Sequence, residues 1–186
     1  MPATKNDWTV EMLDALPDDG RRYEIIDGEL FVTPSPGEAH QDAVLFLVTL
    51  VDRYLRGRNV GKVMMSPSDV RRGDRTRNRI QPDIYVVRLT EGARPQYPYD
   101  VRDLLLAIEV LSPGSARLDK QTKRELYLRE GVGEYWMVDP KALTVSRWSG
   151  IDDAGEILSK ELRWHPAGMK EPLVLNLPEF FVEAFR

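Results

Sequence analysis

The chain has 186 residues, 42% hydrophobic and 30% charged, the balance of a folded globular protein with one core rather than of a disordered chain. Twenty-six basic against thirty acidic residues leave a net charge of −4, so no global charge draws it to nucleic acid, and such a partner must meet a local basic patch. The absence of cysteine excludes disulfides, thiolate zinc sites and cysteine nucleophiles, and fits a reducing compartment.

The opening "MPATKNDWTV" lacks the basic-then-apolar order of a secretory signal, so a cytoplasmic protein is expected. Thr9 is placed to cap a short helix through Leu16, which Pro17, Asp18, Asp19 and Gly20 stop. In "RRYEIIDGELFV" the Asp27-Gly28 pair between two β-prone arms signals a two-residue hairpin. From Glu38 to Arg56, Ala43, Leu47, Leu50 and Val51 recur at helical spacing and predict a long buried helix. Its apolar run, Ala43 to Val51, is about half of the ~20 residues a membrane span needs.

"VGKVMMSPSDVRR" and "RIQPDIYVVRL" read as strands joined by the polar turn "GDRTRN", and "DLLLAIEVLS" as the next strand. "ARLDKQTKRELYLRE" then has helix formers throughout and meets a C-cap at Gly131. "EYWMVDP" is a further strand, and "LTVSRWS" with "EILSKELRWH" predicts a hairpin around Asp152 to Gly155. Strands and helices in this order give a mixed α/β sheet.

Two acids interrupt apolar strands. Glu109 lies in "LLLAIEVLS" and Asp83 in "IQPDIYVV", and consecutive strands are usually neighbours. Two carboxylates meeting in a sheet either share a proton or bind a cation that removes their repulsion. Hard oxygen donors without cysteine favour Mg²⁺ or Mn²⁺. Lys120, Lys123 and Tyr127 fall at i, i+3 and i+7 on the next helix, one face of a regular α-helix, so a lysine could turn back toward the acids. A metal held by carboxylates beside an ammonium suits phosphodiester hydrolysis.

"RYEIIDGEL", "QPDIYVV" and above all "IEVLSPGSARLDKQTKRELYLREGVGEYWMVDP" resemble the Uma-type restriction endonucleases, a widespread bacterial family within the PD-(D/E)XK nuclease superfamily. The likeness runs from about Tyr23 to the carboxy terminus. It implies a restriction-endonuclease-like mixed β-sheet core flanked by helices, as a single domain over 1–186 with an N-terminal helical extension (1–20) and a C-terminal hairpin and tail (141–186). It also implies Asp83 and Glu109 as metal ligands and a lysine as third catalytic group. In the superfamily that lysine lies two residues after the second acid, where this chain has Leu111; the Uma-type pattern puts it on the next helix, which matches Lys123, with Lys120 as a rival. Glu24 and His40 fall where the family carries polar residues near the site.

Blander roles stand beside these. Asp83 and Glu109 could be satisfied by amides or arginine, Lys123 could pair with Asp119, Glu24 could face outward, and His40 could only cap or pack. Ser112 and Ser115 suit a turn and helix cap, since no nucleophile motif accompanies them. The five arginines of "RRGDRTRNR" could grip phosphate or form a solvated tip. Tyr135 and Trp136 suit the core. The expectation is a Mg²⁺-dependent endonuclease acting on DNA, with a homodimer implied by resemblance. The alternative is a catalytically weak nuclease-fold protein that binds nucleic acid or protein.

Overall fold

The computed structural model describes residues 7–72, 76–112 and 118–185. Ser115, the start of the predicted helix at Ala116 and the middle of the arginine-rich turn, 73–75, lie outside the described residues. Thr9 Oγ1 accepts a hydrogen bond from Met12 N at 3.3 Å and opens α1 (Val10–Asp14), which ends two residues sooner than expected. The hairpin forms as expected: β1 (Arg22–Ile26) and β2 (Glu29–Thr33) pair antiparallel with Ile26 opposite Glu29. Asp27 and Gly28 have φ of 51° and 80°, the two left-handed residues that a type I′ turn requires. α2 (Glu38–Leu55) buries Ala43, Val44, Leu47, Val51 and Leu55 on one stripe.

Two expected strands divide. β3 (Gly61–Met65) ends before Pro67, and β4 (Val70–Arg71) joins another sheet. Likewise β5 (Arg79–Ile80) and β6 (Ile84–Arg88) flank Pro82 and belong to different sheets. A proline has no N–H to give a central ladder, so the chain changes sheets beside each one. Asp83 therefore sits in the bend just before β6 rather than within a strand. β7 (Tyr99–Asp100) and one 3₁₀ turn (Val101–Asp103) lead into β8 (Leu104–Val110), all seven of whose residues are buried.

Leu118–Lys123 form a π-helical turn that passes into α3 (Arg124–Glu130). Gly131, at φ 79°, supplies the predicted left-handed C-cap. β9 (Tyr135–Asp139), β10 (Thr144–Trp148) and β11 (Glu156–Leu158) follow as successive antiparallel partners. "EILSKELRWH" divides as well: β12 (Glu161–Trp164) leaves β11 and pairs with β13 (Leu173–Asn176). The order then closes with α4 (Leu177–Ala184), capped by Asn176 Oδ1 accepting from Glu179 N at 3.2 Å. β13 and α4 are additions to the predicted order.

The main sheet runs β11-β10-β9-β8-β6-β3, and a smaller one runs β2-β1-β5-β4-β7. β8 pairs antiparallel with β6 and parallel with β9; the parallel pair is the one that needs a crossover, which the π turn and α3 provide. One core lies on the α2 and α4 side of this sheet and includes Leu106, Ile108 and Val110. The other, on the α3 side, includes Ala107, Leu111, Leu126 and Tyr127. Strand alternation gives Glu109 to the α3 side with Ala107 and Leu111. No helix among the described residues is long and apolar enough to cross a membrane.

Candidate active site

The β6–β8 pairing, with Ile84 opposite Ile108, sets Asp83 beside the end of the Glu109 strand. Each acid then accepts from the backbone of the other's segment: Asp83 N donates to Glu109 Oε2 at 3.4 Å, and Val110 N donates to Asp83 Oδ2 at 2.9 Å. Both side chains are buried, at 3% and 1% exposure. The two acids do meet at one point of the sheet.

β1 supplies the next two groups. Arg22 and Glu24 are two residues apart and so share a face of the strand. Arg22 donates to Asp83 Oδ1 at 2.8 Å. Glu24, 1% exposed, accepts from Gln81 N at 2.8 Å, so it faces inward rather than outward. His40, in the first turn of α2, brings Nε2 within 2.9 Å of Asp83 Oδ2.

Lys123 closes the cluster. Its ammonium lies 3.0 Å from Glu24 Oε1 and 3.0 Å from Glu109 Oε1, at 1% exposure. One turn on, Tyr127 donates its hydroxyl to the same Glu109 oxygen at 2.8 Å. Lys120 does not join them; it is half exposed and pairs with Asp139 at 3.6 Å. The π turn explains the separation, because more residues per turn move positions three apart off a common face.

The acids therefore do not face one another bare: Arg22 and His40 pair with Asp83, and Lys123 with Glu109. Burial pushes the Asp83 carboxyl up. The His40 hydrogen bond and the charges of His40, Arg22 and Lys123 outweigh it and hold the group well below the usual carboxylate range. Burial works against the Arg22 guanidinium, but Asp83 beside it raises its pKa overall. Burial, then the Glu109 and Glu24 charges, push the Tyr127 hydroxyl far up, so it stays a donor.

Other predicted residues fall elsewhere. Arg72 pairs with Glu130, and Arg79 with Asp14 and, at 2.7 Å, with Asp69. Those two guanidinium groups serve the protein's own acids rather than a free phosphate grip. Tyr135 and Trp136 are core residues, and Ser112 lines the carboxylate pocket. Arg22 is the site residue that sequence reasoning missed. Its signal was the i, i+2 relation to Glu24 on a strand whose other face is covered.

Among the described residues, no three His, Asp or Glu side chains form a ready-made metal cage. Mg²⁺ rarely asks for one, since one or two carboxylates usually hold it together with waters and substrate phosphates. The donor set fits such an ion: Asp83 and Glu109 offer oxygen only, and both line one small pocket with Glu24. Three carboxylates, Asp83, Glu109 and Glu24, line that pocket with Arg22, Lys123 and His40.

The Uma2 family model, described as "Putative restriction endonuclease", matches residues 10–179. This chain belongs to the Uma2 family. The Uma2 match spans Glu24, Asp83, Glu109 and Lys123. No curated protein matches the chain. Among solved structures, the Uma2 chain is similar to "a putative nuclease belonging to DUF820 from Anabaena variabilis ATCC 29413", with a TM-score of 0.75 and 20% identity over 95% of this chain and 98% of that one. At that identity the likeness establishes a shared fold, the mixed α/β core expected for this chain.

Proposed function

We propose that this Uma2 protein is a Mg²⁺- or Mn²⁺-dependent endonuclease that hydrolyses DNA phosphodiesters at the Asp83, Glu109 and Lys123 pocket. The observation that carries the reading is the buried Lys123 ammonium 3.0 Å from Glu109, which restores a carboxylate-lysine pair on a strand that has Leu111 where a lysine would be usual. Asp83 and Glu109 would hold the ion, whose chemistry when bound is to activate water and to bear charge developing on phosphate.

The chain's own groups do the rest. Arg22 and His40 fix the Asp83 carboxylate from two sides, and Tyr127 fixes that of Glu109. Glu24 also holds Lys123, at 3.0 Å. Lys123 orients the nucleophile and supports the pentacovalent anion through preorganised charge. Cleavage of both strands asks for two such sites, and hence a homodimer.

The test is cleavage of supercoiled and linear DNA with Mg²⁺ or Mn²⁺ by wild type, Asp83→Asn and Glu109→Gln, with circular dichroism to confirm folding. Loss of cleavage in both folded variants is expected; equal cleavage by all three overturns the reading. One observation favours a second reading, a nucleic-acid binding module: Arg22, His40 and Lys123 already pair with the acids. Calorimetry showing no Mn²⁺ binding at millimolar concentration, with DNA binding intact in Asp83→Asn, would support it.

A further inference from the structure

One face of α2 stays outside the core and is not uniformly polar. Asp42, Leu45, Phe46, Thr49, Leu50 and Arg53 line a groove of about 510 Å³ that the end of α4 closes with Glu183. Leu45 is 64% exposed, while Phe46 and Leu50 are only partly buried where they pack on the core. Thr49 donates its hydroxyl back to Leu45 O at 2.8 Å. It therefore asks for no water and can enter a dry contact.

An acid opens this stripe and a base closes it. Asp42 and Arg53 fall at i and i+11, three helical turns and about 16 Å apart on one side of the cylinder. Among the described residues, the Asp42, Arg53 and Glu183 side chains make no hydrogen bond or ion pair. Asp52, on the same helix, by contrast holds both Arg56 and Lys62. The exposed Glu38 and Arg56 extend the same acid-to-base order to the two ends of the helix.

Turned end for end, the stripe is complementary to itself. An antiparallel copy in the register that sets its Arg53 on Asp42 also sets its Asp42 on Arg53, with Phe46 opposite Thr49 and the two-fold axis beside the peptide between Leu47 and Val48. The apolar centre of one copy then lies on that of the other. Positions 42, 45, 49 and 53 recur every three to four residues, the seam along which two helices pack at a shallow angle. An unrelated partner would have to match this charge order independently, whereas a second copy carries it already.

We propose that this groove seats α2 of a second copy of the chain. The resulting dimer has Leu45, Phe46, Leu50 and the Thr49 methyl group at its centre, and an Asp42 to Arg53 ion pair at each end. The interface goes beyond the nuclease reading and does not rest on it, since it is argued from the α2 face alone.

Sedimentation velocity on the full chain in EDTA, without nucleic acid, at about 1 to 100 µM tests it. A species of twice the 21.3 kDa of one chain is expected to grow with concentration. Leu45→Glu should weaken the dimer about tenfold or more. Asp42→Arg puts bases at both ends of the stripe and Arg53→Asp puts acids at both, so each variant alone should be monomeric over the range. Mixed in equal amounts, the two should associate again, because position 42 of each chain then meets position 53 of the other with opposite sign. Circular dichroism confirms that each variant folds. A monomeric wild type, a dimer indifferent to Leu45→Glu or to either charge reversal, or two variants that stay apart when mixed overturns the interface. No outcome is read from cleavage, so failure of the nuclease reading would leave the result standing.

Discussion

The Lys123 ammonium stands 3.0 Å from the Glu109 carboxylate, although the two residues lie on different elements, the end of a π-helical turn and the end of a central strand. Position 111, on the same face of the strand as Glu109, is Leu111 and packs into the α3-side core. The cation arrives instead from the crossover helix and bridges Glu24 as well. Lys123→Met would strand both carboxylates in a buried site, and the expected loss is about 3 to 5 kcal/mol. Lys120→Met removes only an exposed pair and should cost about 1 kcal/mol or less. Urea unfolding of the two variants makes the comparison; equal losses would contradict the buried bridge.

Arg22→Met tests the second cation. Asp83 keeps His40 and the Val110 amide, so the expected loss is about 3 kcal/mol, at the low end for a broken buried pair. A divalent ion bound at the acids would restore part of the missing charge. Mn²⁺ should therefore raise the melting temperature of Arg22→Met more than that of wild type. A smaller or equal rise would mean that Arg22 organises the ion site rather than standing in for the ion.

Much of this arrangement was legible in the sequence because it rests on local rules. Asp27-Gly28 announced its turn, Gly131 its cap, and the apolar run from Leu104 to Val110 its buried strand with a conspicuous acid. Less was legible where a long-range event decided the outcome. The prolines at 67 and 82 moved strands between sheets, β12 found its partner across a connection of eight residues, and the π turn removed Lys120 from the face of Lys123. Arg22 was hidden for the same reason: an arginine opening a strand looks solvated until a second sheet covers it.

Tyr127→Phe keeps the ring, whose centroid lies 5.0 Å from that of Tyr135, and deletes only the donor to Glu109. Lys123 still reaches the same oxygen, so the cost should be about 1 to 2 kcal/mol. Thermal unfolding measures it. A loss near zero would mean that Lys123 alone satisfies the Glu109 oxygen.

Gly133→Ala probes the crossover that aligns β9 with β8. A Cβ there would lie 2.5 Å from the Leu105 carbonyl oxygen. That backbone is held by Gly133 N to Leu104 O at 3.1 Å and Glu134 N to Leu105 O at 3.0 Å, so neither side can yield cheaply. A loss of about 3 kcal/mol or more is expected. Gly150→Ala, where nothing lies within 4 Å of the added carbon, should be nearly neutral in the same melting experiment.

Glu134 gives a pH signature away from the site. Burial raises its carboxyl above the ordinary 4.5, against the opposing effects of the Trp136 hydrogen bond and the Arg147 charge. Folding therefore favours the protonated form, and the native state binds more protons than the unfolded chain above that pH. The contribution is fully present below pH 4.5 and is lost as pH rises through the higher native value. Glu134→Gln cannot titrate and still offers an oxygen to Trp136 Nε1, which now donates to Glu134 Oε2 at 2.9 Å. The variant should be more stable than wild type at pH 7 to 8, with an advantage that shrinks on acidification and is gone below about pH 4.5. Urea midpoints at pH 4, 6 and 8 decide it: an advantage independent of pH would trace to packing rather than to a buried charge.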